Sequence, residues 1–298
     1  MRSHHGRVSR RACAPHSAGV ILSAAKDPYL SAAADEDAAP SQAQDDTLRV
    51  KVCNALRPTV FRLPKAGSSQ REYEDAVAWS RRAPRYAVAD GASASAFARL
   101  WAHLLAHAYS GGHLRADHLE DDLATVQARW ASLVERRRLP WYAQEQVRRG
   151  AFAALVGLDL RPDGRWAALA VGDCCLFQVR QGALIAAFPL DSAADFSQRP
   201  LLLGSRAAAN AGLRRAGAIG TAGGDWRSGD VFLLMSDALA GTFLERCQAD
   251  PAAALAALDF VPTASGFRAW VNGLRAERHL RNDDVSLVWV QVGADATA

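Results

Sequence analysis

The sequence predicts an α+β sandwich, in which antiparallel strands form hairpins at the centre and helices pack outside them. Three observations lead to this prediction. Apolar residues along the 298-residue chain change between helical spacing and short buried runs. Short turns separate the runs in the middle of the chain, which indicates hairpins and not parallel strands joined by helices. Finally, 50% of the residues are hydrophobic and 22% are charged, as in an ordinary globular protein.

Helices are predicted where apolar residues recur every three or four positions. This spacing runs from Phe97 to Leu105 and again from Leu119 to Leu133. A third segment, Phe243–Leu258, is also largely helical in pattern. Arg136-Arg137-Arg138 follows the second segment, and such a basic run suits the solvated carboxyl end of a helix better than a nucleic-acid patch.

Strands are predicted where a short apolar run is bounded by turn residues. Pro162-Asp163-Gly164 separates two of these runs, since Pro presets φ and Gly accepts a positive φ. Residues 191–228 carry few periodic signals and are predicted to be loop with a short helix. The predicted strands are Tyr86–Ala89, Phe152–Leu160, Trp166–Val171, Cys174–Val179, Ala183–Phe188, Val231–Met235 and Val285–Val292.

The domain organisation follows from composition. Residues 1–47 contain almost no large apolar side chains, which predicts a disordered tail or sequence upstream of a mis-assigned start. Residues 48–293 have the pattern of one packed domain, and residues 294–298 are a short tail. Ser9-Arg10-Arg11 resembles a twin-arginine export signal only weakly, because the apolar stretch after it is short.

Charge and cysteine content exclude several classes of protein. The net charge of +4 is too small over this length to indicate nucleic-acid binding. No apolar run is long enough to predict a membrane span. The five cysteines show no CxxC spacing, so neither a disulfide framework nor a structural zinc site is indicated. Free thiols are typical of a reducing compartment, and a cytoplasmic location is expected.

Carboxylates lie at the ends of several predicted strands. An ionised carboxylate there is costly unless it is paired, hydrogen-bonded or bound to a cation. If these ends share one rim of a sheet, the acids converge, and an all-oxygen cluster suits Mg²⁺ or Mn²⁺ better than zinc. Taken singly, each acid is better explained as a strand-end cap or a turn former, and only the set as a whole favours a cation site. The acids are Glu74, Asp75, Asp90, Asp173, Asp237, Asp283 and Asp284.

Five blocks in order resemble the type-2C, metal-dependent serine/threonine protein phosphatases, in a divergent, bacterial-type branch. They span roughly residues 67–292. The resemblance implies a four-layer α-β-β-α sandwich with a central antiparallel β-sandwich, and it makes residues 48–293 a phosphatase-like catalytic domain. The blocks are Glu72–Ala76, Tyr86–Ser93, Ala170–Cys174, Gly229–Asp237 and Asn282–Leu287.

The resemblance also implies two metal ions, Mg²⁺ or Mn²⁺, at one end of the sandwich. Asp90 would bridge both ions, and the carbonyl of Gly91 would bind one of them. Glu74 matches the acid that completes the shell of that ion. Asp237 and Asp283 would hold the other ion, so Asp90, Asp237 and Asp283 are the expected catalytic acids.

Further roles are implied around these ligands. Asp75 would orient metal-bound waters, and Asp173 matches a position linked to a third, weaker metal. Asp284 stands where the family usually has Asn, so no ligand role is transferred to it. Gln70 stands at the position of the family's phosphate-contacting arginine, and Arg71, one residue along, is the candidate that replaces it.

Other positions depart from the family pattern. Ala92 replaces the His that protonates the leaving group in many eukaryotic members. Ala238 follows Asp237 where Gly is usual, and Gly241 occupies a position that is often Asp, which weakens the third-metal site. These changes bear on turnover more than on metal binding.

The implied function is hydrolysis of phosphoserine or phosphothreonine by a hydroxide that bridges two metal ions. Expected partners are a phosphorylated protein substrate and a Ser/Thr kinase that the enzyme opposes, with no nucleic acid or membrane, and the chain is expected to be a monomer. The alternative is a catalytically impaired phosphatase-like module that binds or regulates, as Ala92 and Gln70 favour.

Two competing motifs are weaker. Cys174 and Arg180 have the C-x5-R spacing of cysteine-dependent phosphatases, but the residues between them have the pattern of a strand and not of a phosphate-binding loop. His103 and His107 are four apart on a predicted helix and lack an evident third metal ligand.

Overall fold

The computed structural model describes residues 56–137, 139–215, 217–260 and 263–293. The strands are β1 (Thr59–Leu63), β2 (Ala76–Trp79), β3 (Arg85–Gly91), β4 (Phe152–Leu160), β5 (Arg165–Val171), β6 (Cys175–Arg180), β7 (Ala183–Phe188), β8 (Leu203–Gly204), β9 (Gly220–Asp225), β10 (Val231–Met235) and β11 (Val285–Gln291). The helices are α1 (Ala98–Ser110), α2 (Leu119–Glu135), α3 (Trp141–Arg149), α4 (Asp237–Ala249), α5 (Pro251–Ala256) and α6 (Ala264–Ala276). Short 3-10 helices cover Ala116–His118, Ala193–Ser197, Ala207–Arg214 and Ala257–Phe260.

The strands form two antiparallel sheets. The first sheet has the order β1-β11-β10-β6-β7, and the second has the order β2-β3-β4-β5-β9, with β8 paired to β4. In the first sheet Met235 lies opposite both Leu287 and Cys175. In the second, Ala76 lies opposite Ala89. These registers bring the ends of strands from different parts of the chain together.

Three apolar layers hold the sheets and helices together. Between the sheets, Phe232 and Val288 of the first sheet pack in one cluster with Tyr86 and Val156 of the second. A second cluster joins the outer face of the second sheet to α1 and α2, where Trp101 and Trp130 are fully buried. A third joins the first sheet to α4 and α6. The order of layers is therefore α-β-β-α, which confirms the predicted fold class.

Most predicted elements are present, with small shifts at their ends. The strand predicted at Cys174 begins at Cys175, and the helix predicted from Phe243 begins earlier, at Asp237. Residues 191–228 contain β9, which the sequence pattern does not predict because the strand consists mainly of Gly, Ala and Thr. Backbone hydrogen bonds to β5 hold this strand in place, and no run of buried apolar side chains is needed. None of the described helices is both long and apolar enough to cross a membrane.

The predictions for residues 1–47 and 294–298 lie outside the described residues, as do residues 48–55 of the predicted domain.

Candidate metal centre

One end of the sandwich receives acids from both sheets. Asp90 is the penultimate residue of β3. Asp75 immediately precedes β2, the strand that pairs with β3. Asp173 lies in the turn between β5 and β6, and Asp237 begins α4 shortly after β10. Asp283 lies two residues before β11, which pairs with β10. Antiparallel pairing thus puts strand ends that are far apart in sequence on the same rim.

Asp90 is the acid at which the charges of the others converge. Burial is the main cause that raises the pKa of its carboxyl group well above the ordinary value. The charges of Asp75, Asp237 and Asp173 raise this pKa further. An acid with three acidic neighbours is stabilised in its ionised form only when a cation is close.

Asp75 is the most deeply buried acid of the group, with 1% of its surface exposed. Burial, opposed by the hydroxyls of Ser236 and Ser286 and assisted by nearby acids, raises the pKa of its carboxyl group to about 7. Neither carboxylate oxygen has a hydrogen-bond partner of normal geometry. Two buried oxygens whose nearby hydroxyls make no hydrogen bond of normal geometry fit a role in holding metal-bound water, because such water supplies donors.

Asp173 lies nearby and is also perturbed. Burial, with the charge of Asp237 as the next cause, raises the pKa of its carboxyl group to about 6. Gly172 before it has a φ of 98°, which favours glycine, and a Cβ there would lie 2.6 Å from the Cβ of Ala154. The tight turn therefore depends on Gly172 and directs Asp173 to the shared end.

Basic side chains pair with the more exposed acids. The guanidinium of Arg281 donates a hydrogen bond to Oδ2 of Asp237 and lies 3.3 Å from Oδ2 of Asp283. Nζ of Lys65 is 3.8 Å from Oε2 of Glu74, which also accepts a hydrogen bond from the hydroxyl of Ser93. No three acids, histidines or cysteines in the described part of the chain are arranged as ready-made metal ligands.

Asp284 has a bracing role. Its carboxylate accepts hydrogen bonds from the backbone N–H groups of Lys65, at 2.9 Å, and Glu74, at 2.7 Å. Arg275 adds bonds to the carbonyls of Pro64, at 3.0 Å, and Asp283, at 2.7 Å. The loop between β1 and β2, which carries Glu74, is thereby tied to the segment that precedes β11.

Arg71 lies on the same loop and its side chain is exposed. Its carbonyl and that of Gln70 accept hydrogen bonds from Arg99, at 3.2 Å and 3.3 Å. This contact ties the loop to α1 and leaves the guanidinium of Arg71 in solvent. A phosphate-binding role for Arg71 stays a prediction.

Sequence reasoning missed the two basic residues at the site, Arg281 and Lys65. The only available signal was position, because Arg281 stands two residues before Asp283 and Lys65 nine residues before Glu74. Their pairing with particular acids depends on the fold, since Arg281 and Asp237 are 44 residues apart.

A cavity of about 400 Å³ opens beside Asp173. Arg199 and Gln198 supply donor groups on its wall, and Asp195 supplies an acid. Leu190 and Leu201 give the same wall apolar surface. A space with both kinds of surface next to the acids is suited to hold part of a polar ligand.

Gly91 contributes a close backbone approach. A Cβ at this position would lie 2.9 Å from both the carbonyl carbon of Ala98 and the carbonyl oxygen of Glu74. Only glycine therefore lets β3 run this close to the Glu74 loop and to the start of α1.

Replacing Gly91 by Ala is expected to destabilise the protein by about 1–3 kcal/mol, because two backbone segments must move apart. Urea denaturation measures the change in the free energy of unfolding. Gly273→Ala is the control, since a Cβ there meets nothing within 4 Å inside α6, and it is expected to stabilise by up to ~1 kcal/mol. Equal effects of the two substitutions would contradict the close approach at Gly91.

Comparison with known proteins gives a consistent assignment of the fold. No family model and no curated protein matches the chain. The serine/threonine phosphatase PstP/Ppp of Mycobacterium tuberculosis is 18% identical, with a TM-score of 0.51 over 80% of this chain and 99% of that one. A bacterial serine phosphatase is 12% identical, with a TM-score of 0.55 over 80% and 98%. The photosystem II phosphatase PBCP is 17% identical, with a TM-score of 0.50 over 80% and 99%. The chain thus has the fold of these phosphatases, which is the type-2C fold that the sequence blocks resemble.

Proposed function

We propose that this protein is a metal-dependent phosphoprotein phosphatase that hydrolyses phosphoserine and phosphothreonine. The observation that carries the proposal is the convergence of Asp75, Asp173 and Asp237 on Asp90 at one end of a type-2C fold. The sequence blocks that resemble these phosphatases contain these acids. The solved structures that share the fold are serine and serine/threonine phosphatases, which supports the same class of substrate.

The donors fit two divalent cations, Mg²⁺ or Mn²⁺, because all of them are oxygens. Asp90, Glu74 and the carbonyl of Gly91 would hold one ion, and Asp90, Asp237 and Asp283 the other. When bound, the two ions supply a water of lowered pKa as nucleophile and neutralise charge on the phosphoryl oxygens.

The chain supplies orientation and charge. Asp90 lies at the end of a buried strand, so its carboxylate is held in place by the sheet. Asp75 holds two buried acceptor oxygens that lack hydrogen bonds of normal geometry, and there they would orient water. Asp173 is the candidate ligand of a weak third ion. Since Ala92 has no proton to give, the leaving alkoxide takes its proton from water.

The substrate is a phosphorylated segment of another protein. The cavity beside Asp173 accepts the substrate residues that flank the phosphorylated side chain. Arg199 on its wall pairs with an acidic group of the substrate. Arg71 is proposed to contact the phosphate in place of the arginine that is replaced by Gln70. A kinase that produces such substrates is the expected opposing enzyme, and the protein is proposed to act as a cytoplasmic monomer.

The test measures phosphate release from a phosphothreonine peptide with Mn²⁺ and again with excess chelator. We expect turnover only with the metal. Asp237→Asn should lower kcat/KM on the order of a hundredfold, because one ion loses a charged ligand. Asp121→Asn, an exposed acid in the first turn of α2, is the matched control and should leave turnover unchanged. Turnover that persists in chelator would reject the proposal.

The alternative is a phosphatase-like module that binds phosphorylated proteins without hydrolysing them. Ala92 and Gln70 favour it, and so do the ion pairs of Arg281 and Lys65 with the acids. A folded protein that binds the phosphopeptide but releases no phosphate with Mg²⁺ or Mn²⁺ would establish this second function.

A further inference from the structure

We propose that Arg281 occupies the position of one divalent cation between Asp237 and Asp283, so that an ion binds there only by displacing the guanidinium. This inference rests on the proposed function, because it concerns the same metal centre. It predicts two ions of unequal affinity and names Arg281 as the residue that sets the difference.

The contacts of Arg281 are those that an ion would make. Its Nη2 atom donates a hydrogen bond to Oδ2 of Asp237 and lies 3.3 Å from Oδ2 of Asp283. Both oxygens belong to the acids that the resemblance assigns to one metal. A guanidinium between two carboxylates supplies positive charge and donors, as a divalent cation supplies charge and ligand bonds.

The other half of the centre has no equivalent cation in hydrogen-bond contact among the described residues. Lys65 reaches Glu74 only at 3.8 Å, which is beyond hydrogen-bond distance. The carboxylate oxygens of Asp75 lack partners of normal geometry. An ion entering this half meets charge that is less compensated, so it binds first and more tightly.

Arg281 is able to leave. Its side chain is 59% exposed, while those of Asp237 and Asp283 are 13% and 37% exposed. Because the guanidinium is more than half exposed, solvent screens both pairs, and it weakens the one with Asp283 more than the one with the less exposed Asp237. Arg275, by contrast, is tied to two backbone carbonyls and stays in place. A divalent cation at sufficient concentration therefore replaces Arg281 without disturbing the brace around Glu74.

The experiment titrates Mn²⁺ into the full chain by calorimetry and counts free Mn²⁺ by electron paramagnetic resonance. We expect one tight and one weaker site in the unaltered protein. In Arg281→Gln the weaker site should tighten roughly tenfold, because its competitor is lost. Arg268→Gln removes the same charge from an exposed position on α6 and should change neither affinity. Circular dichroism checks that each variant is folded.

A second variant separates charge from hydrogen-bond geometry. Arg281→Lys keeps the charge but loses the planar guanidinium, so its weaker site should fall between those of the unaltered protein and Arg281→Gln. Two sites whose affinities are the same in all four proteins would overturn the inference and leave the proposed function intact. Absence of Mn²⁺ binding by every folded variant would overturn both.

Discussion

Replacing Asp90 by Asn is expected to abolish metal-dependent hydrolysis while it raises the stability of the metal-free protein. The loss should be on the order of a thousandfold or more in kcat/KM, because Asp90 is the acid proposed to serve both ions. The gain in stability arises because the charges of Asp75, Asp237 and Asp173 no longer face a fourth carboxylate. This single substitution is therefore expected to lower activity and to raise the stability of the metal-free protein.

The measurement combines phosphopeptide turnover with thermal unfolding at pH 8, in chelator and in Mn²⁺. The variant should unfold at a higher temperature than the unaltered protein in chelator, and Mn²⁺ should stabilise it less. Asp121→Asn again serves as the control, since it removes a carboxylate from an exposed helix turn. A variant that is less stable than the unaltered protein in chelator would show that repulsion at Asp90 is already relieved.

The metal-free protein should lose stability as the pH rises from about 4 to about 7. The pKa values of Asp75 and Asp173 are raised to about 7 and about 6, so the folded state holds protons that the unfolded chain has released. The free energy of unfolding then falls across this window, and the raised pKa of Asp90 acts in the same direction. Asp75 alone lowers the free energy of unfolding by on the order of 4 kcal/mol across the full window, since folding raises its pKa from 3.8 to about 7.

Thermal unfolding in chelator at pH 5 and pH 8 measures this trend, with a drop on the order of 10 °C expected. Mn²⁺ should reverse it, because ions bind the ionised carboxylates. Asp75→Asn should flatten the profile. The pKa of Asp230 is lowered by its bonds to Arg180, Arg227 and Gln178, against the opposing effect of burial, so its contribution changes only below about pH 4. A melting temperature in chelator that rises between pH 5 and pH 8 would contradict the prediction.

The fold was predictable where local patterns coincide with burial. Phe152–Leu160, Ala183–Phe188 and Val231–Met235 have the same limits in sequence and structure, because each apolar run ends where its strand leaves the sheet. The edge strand β9 was not predictable from its composition, since its conformation comes from pairing with β5. A local run of apolar residues indicates that a strand is buried. The local sequence does not indicate with which other strand it pairs.

The candidate metal centre was predictable only in part. The positions of Asp90, Asp237 and Asp283 at strand ends indicated a shared rim, and the structure places these strand ends at one end of the sandwich. The brace made by Asp284 and the ion pair of Arg281 were not predictable, because each joins a side chain to a segment distant in sequence. Their roles follow from three-dimensional distances alone.

The position of β11 determines when the site can form during synthesis. This strand lies between β1 and β10, although it follows all the other described strands in sequence. Just before it, Asp283 adds to the acidic cluster, and the carboxylate of Asp284 accepts the hydrogen bonds that fasten the Glu74 loop. While β11 is still inside the ribosomal tunnel, the acids of the preceding segments have already emerged. The segment that organises them has not. Under the proposed function, the chain hydrolyses no phosphorylated substrate until this strand has emerged and inserted.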